Sequence, residues 1–187
     1  MAKLVYTYGP MSSSKTADLL ITNFNLSKIG NTILLKPKID TRYGSAVIQS
    51  RIGISSPCHS FEDFKESLSY DIIDFDYILV DEVQFLSEED VLFLCQLVDY
   101  NNITVLCYGL KTDFKGELFE GSKTLLEHAD EIRELETYCW CGKKATHNAR
   151  VINGEVVKTG EQVMIGADEY YQALCRLHWN SNMASSC

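Results

Sequence analysis

The chain has 187 residues, 45 % of them hydrophobic, which is enough for one full core and a small appendage. Its formal net charge of -9 disfavours DNA, RNA and anionic membrane as partners, because binding a polyanion depends on concentrated Lys and Arg. No apolar stretch approaches the ~20 residues of a membrane span, and the N-terminus lacks the basic and apolar regions of a signal peptide, so the chain reads as cytoplasmic.

Leu4-Val5-Tyr6 predicts a strand, and it leads directly into Gly9-Pro10-Met11-Ser12-Ser13-Ser14-Lys15-Thr16. That is where a phosphate-binding loop belongs, since a strand must deliver the loop to a helix N-terminus whose free N–H groups attract anions. Ser14 stands where the usual motif has its second Gly; if the position needs a left-handed backbone, a non-Gly residue costs about 1–2 kcal/mol. Lys15 can reach β- and γ-phosphates, and Thr16 offers a hydroxyl to Mg²⁺. The helix that follows is expected to run to Ile29 and close at Gly30, with Thr32 to Leu35 as the next strand.

Between Pro37 and Pro57 the chain is polar, without a sustained period, and is expected to form a lid or binding loop that orders over a ligand. Ser60-Phe61-Glu62-Asp63 opens a helix with Phe61, Phe64 and Leu68 on one face, and Tyr77 to Val80 is a short apolar strand ending in Asp81-Glu82. Ser87-Glu88-Glu89-Asp90 resembles a capping box, and Ile103 to Cys107 is another buried strand. Alternating strands and helices predict an α/β fold of the P-loop type, a parallel sheet flanked by helices, over residues 1–137. From Tyr138 onward come cysteines, short β-like runs and an Asn153-Gly154 hairpin signal, so residues 138–187 are expected to form a small second domain.

Asp81-Glu82 at a strand end supplies the second element of a phosphoryl-transfer site, because ligands of open α/β sheets bind beyond the carboxyl ends of the strands. Asp81 is assigned to the metal ion and Glu82 to the general base. Of the seven cysteines, Cys95 and Cys107 lie in apolar runs and read as core. Cys139-Trp140-Cys141 and Cys175-Arg176-Leu177-His178 offer three thiols and an imidazole, the ligand count of a closed structural Zn²⁺ site; His147 is a weaker competitor.

These strings, together with Asp40-Thr41-Arg42, Ser50-Arg51-Ile52-Gly53, Asp81-Glu82-Val83-Gln84-Phe85, the run Tyr108 to Phe119, and Ile165-Gly166 followed by Tyr171, resemble the type II, zinc-containing cytosolic thymidine kinases, in particular the bacterial and phage-like branch. The resemblance runs in order from Gly9 to His178 and implies phosphoryl transfer from MgATP to the 5′-hydroxyl of thymidine, with deoxyuridine as a possible alternative substrate. It implies Glu82 as the base, Arg42 beside the transferred phosphoryl group, Asp40 near the sugar, and Gln84 with Asp81 and residues Gly9 to Thr16 among the ATP- and Mg²⁺-binding groups. It further implies a nucleoside pocket of Met11, Phe85, Leu110, Phe114, Phe119, Met164, Gly166 and Tyr171, with Ala167 where a second Gly is common. The shared Cys-x-Cys and Cys-x-x-His pattern implies structural zinc, and the family also implies a homotetramer with dTTP as feedback inhibitor. A P-loop ATPase, or a non-catalytic zinc-containing nucleotide sensor, stays open as an alternative on the residues themselves.

Overall fold

In the computed structural model, residues 1–68, 74–162 and 171–185 are described. Strands β1 (Leu4–Tyr8), β2 (Thr32–Lys36), β3 (Val47–Gln49), β4 (Ser55–Pro57), β5 (His59–Ser60), β6 (Tyr77–Val80), β7 (Thr104–Gly109) and β8 (Glu131–Glu134) are interleaved with helices α1 (Lys15–Leu26), α2 (Phe61–Ser67), α3 (Glu88–Asn101) and α4 (Glu120–His128). Six of these strands form one sheet in the order β5-β2-β6-β7-β1-β8, and each neighbouring pair is parallel. The predicted α/β architecture is therefore present.

The apolar runs are continuous because both faces of the sheet are covered. Leu4, Tyr6, Ile78, Val80, Val105 and Cys107 point into a core shared with α2, α3 and α4, including Phe61, Phe64, Leu94 and Leu97. Their alternates Val5, Leu79, Leu106 and Tyr108 point the other way, onto Leu19 and Leu20 of α1 and Ile48 of β3. Helix α3 begins with a reciprocal cap in which Ser87 Oγ accepts from Asp90 N at 3.2 Å and the Asp90 carboxylate accepts from Ser87 N at 3.1 Å.

One local expectation is corrected, and three features go beyond the predicted elements. Helix α1 stops at Leu26, and Gly30 has no left-handed backbone; a Cβ there would lie 2.7 Å from Asp76 Oδ2 and 2.9 Å from the Tyr77 ring, so close approach requires glycine. The 37–57 segment carries an antiparallel hairpin, β3 against β4, turned at Ser50 to Gly53. Strand β8 is highly charged, yet it pairs with β1 through its backbone, and its Glu131 forms ion pairs with Lys3 and Arg133. Helix α4 has no counterpart among the predicted elements.

The remainder forms a three-stranded antiparallel sheet, β10 (Glu155–Val157), β9 (His147–Ile152) and β11 (Tyr171–Leu174), followed by α5 (Arg176–Asn180). Asn153 and Gly154 turn β9 into β10 with φ of 52° and 83°, as the Asn-Gly pair predicts. Asn148 ties this sheet to the loop between β1 and α1: its Oδ1 accepts from Met11 N at 2.7 Å, and its Nδ2 donates to Thr112 O at 3.0 Å.

Helix α4 docks at its second residue, Gly121, where a Cβ would lie 2.5 Å from Val83 O and 2.6 Å from Leu86 O. Gly121→Ala gains about 1 kcal/mol of helix propensity, whereas forcing a methyl group against two carbonyls costs about 1–3 kcal/mol. Equilibrium urea unfolding is expected to show a lower midpoint with an unchanged slope; a raised midpoint would show that α4 can shift at no cost.

Candidate active site

The loop from Gly9 to Thr16 joins β1 to α1 in the position expected of a phosphate cradle. A Cβ on Gly9 would lie 2.4 Å from Leu135 O and from Ser13 Oγ. Ser14 is left-handed (φ 62°, ψ 22°), as is Ser12, so the position where glycine is usual does require that backbone and serine bears its cost. Lys15 Nζ donates to Gly9 O at 3.0 Å, Pro10 O at 2.8 Å and Ser13 Oγ at 3.3 Å. Burial pushes the Lys15 ammonium down to about 8, opposed by the nearby carboxylates of Glu82 and Asp81.

Two strands away, β6 ends at the same edge of the sheet. Asp81 is buried, and its Oδ2 accepts from Thr16 Oγ1 at 3.0 Å while its Oδ1 accepts from Glu82 N at 3.0 Å. Burial, reinforced by the adjacent Glu82 carboxylate, pushes Asp81 up to about 7. Thr16 and Asp81 thus present a hydroxyl and a carboxylate side by side, a donor pair that suits a hard oxygen-seeking cation such as Mg²⁺.

Glu82 is left-handed as well (φ 53°, ψ 38°). One of its oxygens pairs with Arg42 Nη2 and the other accepts from Gln84 Nε2. Arg42 Nε reaches Asp40 Oδ1 at 2.7 Å, and Lys36 Nζ lies 3.7 Å from Asp40 Oδ2. Although burial opposes both charges, the Glu82 and Asp40 carboxylates hold Arg42 well above its ordinary value, and Arg42 with Lys36 holds Asp40 below its own. Lys36 also donates to Gly44 O at 2.6 Å and Val47 O at 2.9 Å, anchoring the segment that carries Arg42.

A cleft of about 210 Å³ lies between these groups, lined by Met11 to Ala17, Asp40, Arg42, Asp81, Glu82, Leu110 and the hairpin residues Ile48 to Ile52. Arg51 Nη1 donates to Ser12 Oγ at 3.0 Å, so the hairpin tip touches the phosphate loop. The structure therefore gathers Lys15, Thr16, Asp40, Arg42, Asp81 and Glu82 around one space.

Of the other expected nucleoside residues, Phe85, Phe114, Phe119 and Tyr171 lie outside that lining. Phe85 and Phe119 form an edge-to-face pair with ring centroids 6.2 Å apart. Phe114 is buried beneath the Arg150 guanidinium, 3.7 Å from its ring centroid, and Arg150 donates to the Tyr171 phenolic oxygen from Nε at 3.0 Å and Nη2 at 2.7 Å. Met164 and Gly166, with Ala167, lie outside the described residues. Sequence reasoning missed Lys36, Asn148 and Arg150, all buried polar side chains. The available signal was the i, i+2 pair Asn148 and Arg150 on one side of an otherwise strand-like run.

Cys139, Cys141, Cys175 and His178 converge so that their ligand atoms all lie within 4.8 Å of one another. Cys139 Sγ is 3.3 Å from His178 Nδ1, and Cys141 Sγ is 3.9 Å from Cys175 Sγ. Ligands about 2.0–2.3 Å from a tetrahedral zinc ion are separated by roughly 3.5–3.8 Å, close to these two separations, so the cluster could hold that ion. His147 instead stacks on Trp179, with centroids 4.5 Å apart.

A family model described as "Thymidine kinase" matches residues 2–179. The chain belongs to the thymidine kinase family. Curated thymidine kinases resemble it over nearly full length: that of Legionella pneumophila (strain Lens) is 44 % identical, across 98 % of this chain and 92 % of that protein. The thymidine kinase of Zymomonas mobilis subsp. mobilis is 45 % identical, covering 99 % and 100 % respectively. That of Enterobacteria phage T4 is 45 % identical, covering 96 % of each.

A filled Cys₃His set leaves no position for substrate, so bound zinc would act as a staple of the small sheet. Stripping metal with a chelator is expected to release one zinc per chain, lower the thermal midpoint and raise the KM for thymidine. Release of zinc with both quantities unchanged would contradict that role.

Proposed function

We propose that the protein transfers the γ-phosphoryl group of MgATP to the 5′-hydroxyl of thymidine, giving ADP and dTMP, with deoxyuridine as an alternative acceptor. The observation that carries this reading is the convergence of Lys15 and Thr16 with Glu82 and Arg42 on one cleft, in a chain of the thymidine kinase family. Gly9 to Thr16 cradle the triphosphate, with Lys15 released from the loop carbonyls to neutralise phosphate charge. Thr16 and Asp81 would hold Mg²⁺, which when bound neutralises charge on the β- and γ-phosphoryl oxygens.

Glu82 takes the proton from the attacking hydroxyl. A carboxylate has about four acceptor positions, and Arg42 and Gln84 take one each, so acceptor capacity remains for the substrate. Arg42 stands on the lid segment with its guanidinium in the same cleft, suited to the charge that develops on the transferred group. Ordering of the hairpin excludes the water that would otherwise compete with the sugar hydroxyl.

Met11, Phe85, Leu110, Phe114, Phe119, Met164, Gly166 and Tyr171 are assigned to the nucleoside side, with Asp40 at the sugar, on the strength of the family resemblance. The same resemblance supports a cytoplasmic homotetramer inhibited by dTTP, with structural zinc in each subunit. No helix among the described residues is long and apolar enough to cross a membrane.

Replacing Glu82 with Gln keeps its size and removes its basicity. Turnover is expected to fall by about 10²–10⁴-fold, the usual worth of a positioned general base, while MgATP binding by calorimetry stays near wild type. Near-normal turnover in Glu82→Gln would overturn the assignment of the base.

A further inference from the structure

The Asp81-Glu82-Val83-Gln84 string places Gln84 beside the ATP- and Mg²⁺-binding groups in sequence, but the folded chain uses it differently. Gln84 sits in the short 3-10 turn Val83–Phe85 and is only 3 % exposed, and it is not part of the cleft lining. Both ends of its amide are committed inside the protein: Nε2 donates to Glu82 Oε2, and Oε1 accepts from Leu110 N at 3.0 Å.

The direction of that amide is dictated by chemistry. A backbone N–H can only donate, so Leu110 must meet the carbonyl end of Gln84, and the NH₂ end is left to face Glu82. Leu110 is itself fixed, because its carbonyl accepts from Tyr6 Oη at 2.9 Å and from Ser122 Oγ at 2.6 Å. Clearance for the contact comes from Gly109, where a Cβ would lie 2.6 Å from Gln84 Oε1 and 2.8 Å from Val83 Cγ2. The result is a continuous strut running from Tyr6 and Ser122, through the Leu110 peptide and the Gln84 amide, to the Glu82 carboxylate.

Resting on the kinase reading above, we infer that Gln84 is a positioning residue for the proton acceptor, joining Glu82 to the Leu110 wall of the cleft, and is not a ligand of ATP or its metal ion. Arg42 restrains one oxygen of Glu82 from the lid side, and Gln84 restrains the other from the sheet side. Arg42 sits on a segment that must admit substrate, whereas Gln84 is anchored to Leu110, directly after β7. The rigid reference for the carboxylate is therefore Gln84.

Two variants separate its two contacts. Gln84→Glu keeps an acceptor for Leu110 N and loses the donor to Glu82; Gln84→Met, of similar length, loses both. Gln84→Glu should lower kcat roughly tenfold or more, as misplacement of a reacting group does, with the KM for thymidine near wild type. Gln84→Met should lower kcat and also raise the KM for thymidine, and binding of MgATP by calorimetry should be unchanged in both. In a Glu82→Gln background, Gln84→Met should cause little further loss of the residual rate, because there is no base left to orient.

Should Gln84→Met not fold, as judged by circular dichroism, Gln84→Glu and its kcat-against-KM split carry the test. Weakened MgATP binding with kcat intact, or a full additional loss in the Glu82→Gln background, would overturn the inference. Failure of the underlying kinase reading shows itself separately, in the unmodified enzyme, as ATP turnover indifferent to thymidine.

Discussion

The site depends on one backbone turn. Successive side chains of a strand point to opposite faces, so Asp81 and Glu82, consecutive at the end of β6, would ordinarily serve different surfaces. A left-handed conformation at Glu82 breaks that alternation. With it, Asp81 reaches Thr16 at the start of α1 while Glu82 faces Arg42 across the same cleft. A glutamate held there costs about 1–2 kcal/mol, offset by the contacts of its own carboxylate and by the hydrogen bond from its N–H to Asp81. The strain lies where the carboxylate proposed to hold the metal ion and the one proposed to accept the proton stand side by side.

Around that turn the charges alternate in sign: Lys36, Asp40, Arg42 and Glu82 form a chain in which each member has an opposite neighbour. Desolvating any one of them alone would be costly, and pairing makes the burial tolerable. It also fixes geometry, since Lys36 anchors the backbone at Gly44 and Val47 and so holds the segment bearing Arg42. Ser14 and Ser12 in the phosphate loop add further left-handed serines where glycine would be easier, so the cradle shares the strained character of the carboxylate turn.

What could be read from the chain beforehand follows physical range. Elements specified by local chemistry were legible: the strand-loop-helix entry at Gly9 to Thr16, the cap at Ser87 and Asp90, the Asn153-Gly154 turn, and the apolar runs buried on both faces of the sheet. Strand β8 was not, because an edge strand made of Glu, Ile, Arg and Glu has no apolar alternation and owes its place to backbone pairing with β1. The β3–β4 hairpin is short, and its one buried apolar side chain, Ile48, acquires meaning only against α1. Gln84, Asn148 and Arg150 were hardest, since each is a buried polar group whose partner lies far along the chain: Leu110, Met11 and Tyr171. The composition of a motif names its chemistry, whereas its support comes from contacts that no short window contains.

In the proposed reaction the anion cradle and the proton acceptor serve one transfer to a nucleoside and exclude water from it. The most direct measurement is the initial rate of ADP formation with and without thymidine, at saturating MgATP. ADP release that requires thymidine and equals dTMP formed is the predicted result. ADP release at the same rate in its absence would contradict the account.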